Sequence, residues 1–234
     1  MDRVVGILGG MGPQATVDLM RQIVRATPAA AERDHVRMIV DCNPRVPARS
    51  AALSGAGPSP GPELARMARG LVAAGADVLA MPCNTAHAFA DEIESAVDVP
   101  LLHMIDLAVE AAASSIPGIE RIGLLATRGT RRTRLFHDRF EALGLALVEP
   151  DEEGQRVLDG LIVKVKTHDP TDRDRDALQA LLVDLVERGS DVVVAGCTEV
   201  PLLLPAAPAA RIVDPSDVLA RAVVRFCKEA GDDR

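Results

Sequence analysis

The chain holds 234 residues, 48% of them hydrophobic and 26% charged, which excludes a disordered segment and a disulfide-stapled mini-protein. A formal charge of −8 and only four aromatic residues, all Phe, exclude a basic nucleic-acid face with stacking platforms and favour a small soluble ligand. No apolar stretch approaches the roughly 18 residues of a membrane span without meeting a charge or a proline. Neither a membrane segment nor an export signal is expected, and the cytoplasm is the expected compartment. The four cysteines, Cys42, Cys83, Cys197 and Cys227, are too widely spaced for a CxxC metal or redox site, so no metal is expected.

In chain order, short β-branched runs alternate with amphipathic stretches. Strands are expected at Val4–Leu8, Val36–Asp41, Val78–Met81, Leu101–His103, Ile122–Leu125, Leu145–Val148, Val192–Ala195 and Arg211–Val213. Helix candidates include Gln14–Ala26, Glu63–Ala74, Asp91–Val97, Arg131–Leu143, Asp174–Glu187 and Asp217–Lys228, with Pro13 and Pro62 near helix starts. This βαβ alternation predicts parallel sheets flanked by helices. One segment interrupts it: residues 43–62 collect Pro and Gly around Arg45 and Arg49, and read as a mobile loop able to act as a lid.

The sequence also repeats itself. Gly75-Ala-Asp-Val-Leu-Ala-Met-Pro-Cys83 aligns without gaps on Gly189-Ser-Asp-Val-Val-Val-Ala-Gly-Cys197, and Arg3-Val-Val-Gly-Ile-Leu resembles Arg121-Ile-Gly-Leu-Leu. The expected fold class is therefore α/β with two pseudo-symmetric lobes, each a mainly parallel sheet flanked by helices, with the active site in the interlobe cleft. Residues 1–100, closed by 213–234, would form the first lobe and 101–212 the second. Both cysteines would then lie at the carboxyl ends of equivalent strands, where open α/β sheets bind ligands.

The residues after the cysteines are polar: Asn84-Thr85-Ala86-His87 after Cys83, and Thr198-Glu199 after Cys197. A thiol at a helix start would lose its proton below the ordinary value, and Asn84, Thr85, Thr198 and local backbone N–H groups would hold a carboxylate. The stretch Gly6-Ile-Leu-Gly-Gly-Met-Gly-Pro-Gln-Ala-Thr16 reads as strand, glycine turn and helix start, able to approach an anion closely. It is neither GxGxxG nor a P-loop.

Taken together, Gly9-Gly-Met-Gly-Pro-Gln-Ala-Thr16, Met81-Pro-Cys-Asn-Thr-Ala-His87 and Gly196-Cys-Thr-Glu199 resemble the aspartate racemase branch of the Asp/Glu/hydantoin racemase superfamily, over nearly the whole chain. Glutamate racemases open with a DSGxGG-like turn and carry GCTH, where this chain has Glu199. The resemblance implies a cofactor-independent enzyme, commonly a homodimer, whose two cysteines act on opposite faces of an amino-acid Cα. Those acid–base roles fall on Cys83 and Cys197. A cofactor-free inversion needs one thiolate to remove the Cα proton and a thiol on the other face to return one. The implied substrate-binding set is Met11, Arg49, Asn84, Thr85, Lys166, Thr198 and Glu199.

Family aspartate racemases carry an N-x-P-x-x-P-D-R-T loop whose Arg grips the substrate side chain; here it reads Asn43-Pro-Arg-Val-Pro-Ala-Arg-Ser50. Arg49 matches that arginine, but Ala48 replaces the Asp before it. A more mobile Arg49 and weaker discrimination between aspartate and glutamate are therefore expected. A family lysine matches Lys166, with Lys164 as fallback, while His87 and His103 read as structural. The expected substrate is aspartate or a related acidic amino acid. The alternatives are a hydantoin racemase or a decarboxylase or isomerase of the same superfamily, a non-catalytic amino-acid-binding protein, and a Rossmann oxidoreductase.

Overall fold

The computed structural model describes residues 3–229. Its first sheet and helices run β1 Val5–Gly9, α1 Pro13–Ala26, β2 Met38–Cys42, α2 Arg49–Leu53, α3 Gly61–Ala73, β3 Val78–Ala80, α4 Ala90–Glu94, β4 Leu101–Leu102 and α5 Met104–Ala113. There follow β5 Arg121–Leu124, α6 Arg128–Arg132, α7 Leu135–Ala142, β6 Ala146–Val148, α8 Glu152–Val165, α9 Asp172–Glu187, β7 Val192–Val194, α10 Val200–Leu203, β8 Arg211–Val213 and α11 Pro215–Lys228. Among the described residues no helix is long and apolar enough to cross a membrane.

Every strand pairing is parallel, in two four-stranded sheets ordered β2-β1-β3-β4 and β6-β5-β7-β8. The expected α/β class with two lobes is the observed one, and all eight expected strands are present within about two residues of their expected ends. The chain divides into two compact units. One takes in the described residues up to Leu107 and those from Ser216 onward; the other is Ala108–Pro215. A division after residue 100 would separate β4 from β3, to which Leu101 and Leu102 are paired, so the first unit extends further than the sequence suggested.

β1 is buried along its whole length because helices cover both faces of its sheet. One face packs Leu8, Leu79 and Met81 against Leu64, Met67 and Leu71 of α3; the other packs Val5, Ile7 and Val78 against Leu19 and Ile23 of α1 and Leu219 and Val223 of α11. In the second unit Val193 and Leu125 pack against Leu158 and Ile162 of α8 and Leu182 and Leu185 of α9.

The internal repeat has a structural basis. Gly75 and Gly189 follow α3 and α9 with φ of 100° and 87°, left-handed values that only glycine adopts without strain, and each lets the chain turn into its strand. Two residues on, Asp77 accepts the Val4 amide at 2.7 Å while its own N–H reaches the Val4 carbonyl at 2.8 Å. Asp191 repeats this at the start of β5, accepting the Arg121 amide at 3.3 Å and donating to the Arg121 carbonyl at 3.0 Å.

Three local expectations are corrected. The presumed loop at residues 43–62 contains α2, and α3 begins at Gly61, so it is partly helical. The single helix expected at Arg131–Leu143 is broken into α6 and α7 by Arg134, whose φ of 54° is left-handed. Helices α5, α8 and α10 add to the expected set.

Candidate active site

In a sheet ordered 2-1-3-4, the chain leaves the two central strands toward opposite faces, and a crevice opens where their carboxyl ends diverge. In the first unit that crevice lies between β1 and β3. The exit from β1 is the Gly9–Gly12 turn. Gly10 has a φ of 95°, and a Cβ built on it would stand 2.3 Å from the Asn43 backbone, so no side chain fits there. Its N–H donates to Thr16 Oγ1 at 2.9 Å, which closes the turn onto α1.

The exit from β3 is Met81-Pro82-Cys83. Cys83 is 6% exposed and precedes a six-residue 3-10 helix, Asn84–Phe89. Asn84 is 3% exposed, and neither its Nδ2 nor its Oδ1 has a hydrogen-bond partner among the described residues. A buried amide left unpaired costs about 1–3 kcal/mol, and a ligand carboxylate accepting from Nδ2 would recover part of that cost. Thr85 is half-buried beside it. Met11 is placed differently from expectation. Its side chain is 4% exposed and packs with Leu8, Val46 and Leu64, so its carbonyl is what it offers.

That carbonyl receives Arg49 Nη2 at 3.1 Å, while Nη1 reaches the carbonyls of Val46 at 3.4 Å and Pro47 at 3.3 Å. Without an acidic residue at position 48, the guanidinium rests on main-chain oxygens. These carry no net charge, so among the described residues the cation stays unneutralised and its buried Nε has no partner.

In the second unit the crevice lies between β5 and β7. β5 exits through Ala126-Thr127-Arg128-Gly129-Thr130, where Thr127 caps α6 by accepting the Thr130 amide at 3.1 Å. Gln155 of α8 holds this turn by donating to the Ala126 carbonyl at 3.0 Å. β7 exits through Gly196 and Cys197. The Cys197 thiol, 7% exposed, donates to Glu199 Oε2 at 2.9 Å, and Thr198 Oγ1 donates to the same oxygen at 3.3 Å. Glu199 is 6% exposed.

This arrangement corrects the expected acidity of Cys197. Burial pushes the thiol up, the neighbouring Glu199 carboxylate pushes it further, and the Glu199 backbone N–H and then the positive charge of Lys166 only partly offset them. The helix that follows, α10, has four residues and begins at Val200, too short and too late to act as a strong dipole on Cys197. Thr198 is turned to Glu199, and Glu199 itself faces the thiol.

The two lysines are also distinguished. Lys164 Nζ bonds both Asp174 oxygens at 2.8 Å, and this, with Thr171, holds the Asp174 carboxyl well below the usual carboxylate range. Lys166 caps α8, is exposed, has no ion-pair partner among the described residues, and lies close enough to act on Cys197.

The structure thus gathers Met11, Arg49, Cys83, Asn84 and Thr85 at one switch point, and Lys166, Cys197, Thr198 and Glu199 around the other. Thr127 and Thr130 stand at the second crevice without having been singled out from the sequence. Their signal was the repeat, which sets residues 126–130 where β5 exits as β1 does into its glycine turn. No group of three His, Cys, Asp or Glu residues suited to a metal occurs among the described residues.

Comparison with known proteins identifies the family. Residues 8–223 match the family model described as Asp/Glu/Hydantoin racemase. The chain is similar to the broad specificity amino-acid racemase RacX of Bacillus subtilis, 25% identical over 94% of this chain and 96% of that one. A glutamate racemase of Koribacter versatilis is 32% identical over 62% of this chain and 48% of its own length. Among solved structures, the aspartate racemase of Picrophilus torridus superposes with a TM-score of 0.86 at 28% identity, covering 96% of this chain and 94% of that one. The chain belongs to the Asp/Glu/hydantoin racemase family and is an amino-acid racemase.

Proposed function

We propose that the protein racemises aspartate or a related acidic amino acid without pyridoxal phosphate, with Cys83 and Cys197 as its two acid–base groups. The observation that carries this reading is that two buried thiols close the switch points of two sheets with the same strand order. One thiolate takes the Cα proton, and the other thiol delivers its own proton to the opposite face. In the reverse direction the roles exchange. Cys197 must then first lose its proton, and Glu199, already holding the S–H, is the acceptor. Asn84 binds the α-carboxylate and stabilises the negative charge that develops there as the Cα–H bond breaks.

Arg49 and Lys166 read the side-chain carboxylate. An unneutralised guanidinium with a buried, unpartnered Nε supports that role for Arg49. Because main-chain carbonyls and not a carboxylate hold it, the arginine has no strong anionic competitor, and the substrate range extends from aspartate to glutamate.

Loss of optical activity, followed by circular dichroism on aspartate, glutamate and alanine, tests the reading. Arg49→Ala should cut turnover of the two acidic substrates by about 10²-fold or more and leave any activity on alanine within a factor of about three. Equal, small changes on all three would remove Arg49 from substrate recognition. No inversion of any amino acid by the unmodified protein would overturn the racemase reading.

A further inference from the structure

His87 is 2% exposed, lies four residues after Cys83, and has no part in the proton transfers proposed above. Its ring joins two backbone groups. Nδ1 lies 2.9 Å from the Cys83 carbonyl oxygen, and Nε2 lies 3.1 Å from the Met104 amide nitrogen. A carbonyl only accepts and an amide N–H only donates, so the chemistry fixes the tautomer. Nδ1 carries the proton and donates to Cys83, while Nε2 accepts from Met104. The edge of His103 packs against the same ring, with centroids 4.6 Å apart.

Met104 opens α5 directly after β4, and β4 is the hydrogen-bonded neighbour of β3. The imidazole therefore ties the residue bearing the thiol to the adjacent strand's exit. The Cys83 N–H donates to the Met81 carbonyl at 2.9 Å, which leaves the carbonyl side of the residue to be fixed. The following 3-10 helix is six residues long, and the Cys83 carbonyl's other hydrogen bond within it is to the Ala86 amide at 3.2 Å. Cys83 itself is extended, with φ −156° and ψ 106°, and rotation of its peptide would swing the thiol.

We propose that His87 is a positioning residue for Cys83: its neutral ring clamps the Cys83 carbonyl to the first amide of α5 and so fixes the direction of the thiol. This deepens the proposed function by assigning one half of the thiol pair a dedicated support. Imidazole suits the task because it is rigid and presents a donor and an acceptor on opposite edges.

The side chains of Asn and Gln separate the two contacts. An Asn amide can place N–H near the position of Nδ1, whereas a Gln carbonyl can place an acceptor near that of Nε2. Full-length His87→Asn, His87→Gln and His87→Ala are compared for kcat and KM on aspartate. Alkylation of each cysteine by iodoacetamide, read peptide by peptide by mass spectrometry, is measured in parallel.

Misdirecting a reacting group by about 1 Å can cost about 10²-fold, so His87→Ala should lower kcat by about 10- to 100-fold with KM changed less than about threefold. His87→Asn should recover most of that loss and His87→Gln little of it. The alkylation rate of Cys83 should change severalfold in His87→Ala while that of Cys197 stays constant. Unchanged Cys83 alkylation, equal changes at both cysteines, or an Asn variant no better than Ala would each overturn the proposal. The alkylation arm does not require turnover, so failure of the unmodified protein to racemise counts against the proposed function and not against the clamp.

Discussion

Cys197 and Glu199 share one proton across 2.9 Å, in a place where both are nearly removed from water. Burial and the adjacent carboxylate favour the neutral thiol, so this group rests as a proton donor. Glu199→Gln removes the charge while keeping the shape, and the sign of its effect follows. One upward push is gone, the thiol ionises at lower pH, and alkylation of Cys197 at about pH 8 should accelerate. Racemisation should nonetheless fall, by roughly 10²- to 10⁴-fold, because the amide cannot take the proton that Cys197 would release in one direction of the proposed reaction. Parallel assays by mass spectrometry and circular dichroism should show the two rates moving oppositely; a fall in both would make Glu199 a structural residue. The candidate residues Cys83, Asn84, Cys197 and Arg49 were legible in the sequence, since they stand in recognisable turns. The thiol–carboxylate bond was not, because residues i and i+2 meet only in a particular turn, and that turn comes from Gly196 fitting against Leu124 and Ala126. The carbonyl rest of Arg49 was hidden for the same reason: its partner Met11 is remote in sequence and contributes backbone, which sequence patterns do not mark.

Helix α8 shows how an element can escape the sequence and still position a site. Gly154 and Gly160 interrupt its pattern, yet Leu158, Leu161, Ile162 and Val165 keep the 3–4 spacing and are buried. The helix is started by Asp151, which accepts the Gly154 amide at 2.8 Å. It then delivers Gln155 to the β5 turn and Lys166 to the neighbourhood of Cys197. Near its end Lys164 grips Asp174, the residue that also accepts the Thr171 amide at the start of α9, so the pair fastens α8 to α9. Lys164 is the largest cause of the lowered Asp174 pKa. A carboxyl depressed in the folded state stabilises the fold above its unfolded value and loses that contribution as pH falls through its folded one. Lys164→Met should therefore melt below the unmodified protein at neutral pH. The gap in Tm should hold down to about pH 4 and shrink in more acid buffer. A gap that persists undiminished into strong acid would show that the lysine acts through packing of its aliphatic stem.

At the scale of the molecule, the repeat accounts for why a reaction with two mirror-related substrates suits this chain. Each unit has the same strand order, the same Asp at the foot of its central pairing and one buried cysteine at its switch point. The surroundings of the two thiols are nevertheless unequal. Cys83 lies beside an unpaired Asn84 amide and a main-chain clamp through His87, whereas Cys197 lies on a carboxylate. If each thiol serves one face of Cα, the loss of either should abolish inversion without abolishing proton exchange by the other. Cys197→Ser and Cys83→Ser should each lose racemisation by about 10³-fold or more. In deuterium oxide each variant should still exchange the Cα hydrogen of one enantiomer, and the two variants should choose opposite enantiomers. Exchange by Cys83→Ser should in addition depend on Glu199, because Cys197 is then the base and Glu199 accepts its S–H; exchange by Cys197→Ser should not. Nuclear magnetic resonance of the recovered amino acids measures all four rates. The same enantiomer exchanged by both variants, or full inversion by either, would rule out one thiol per face.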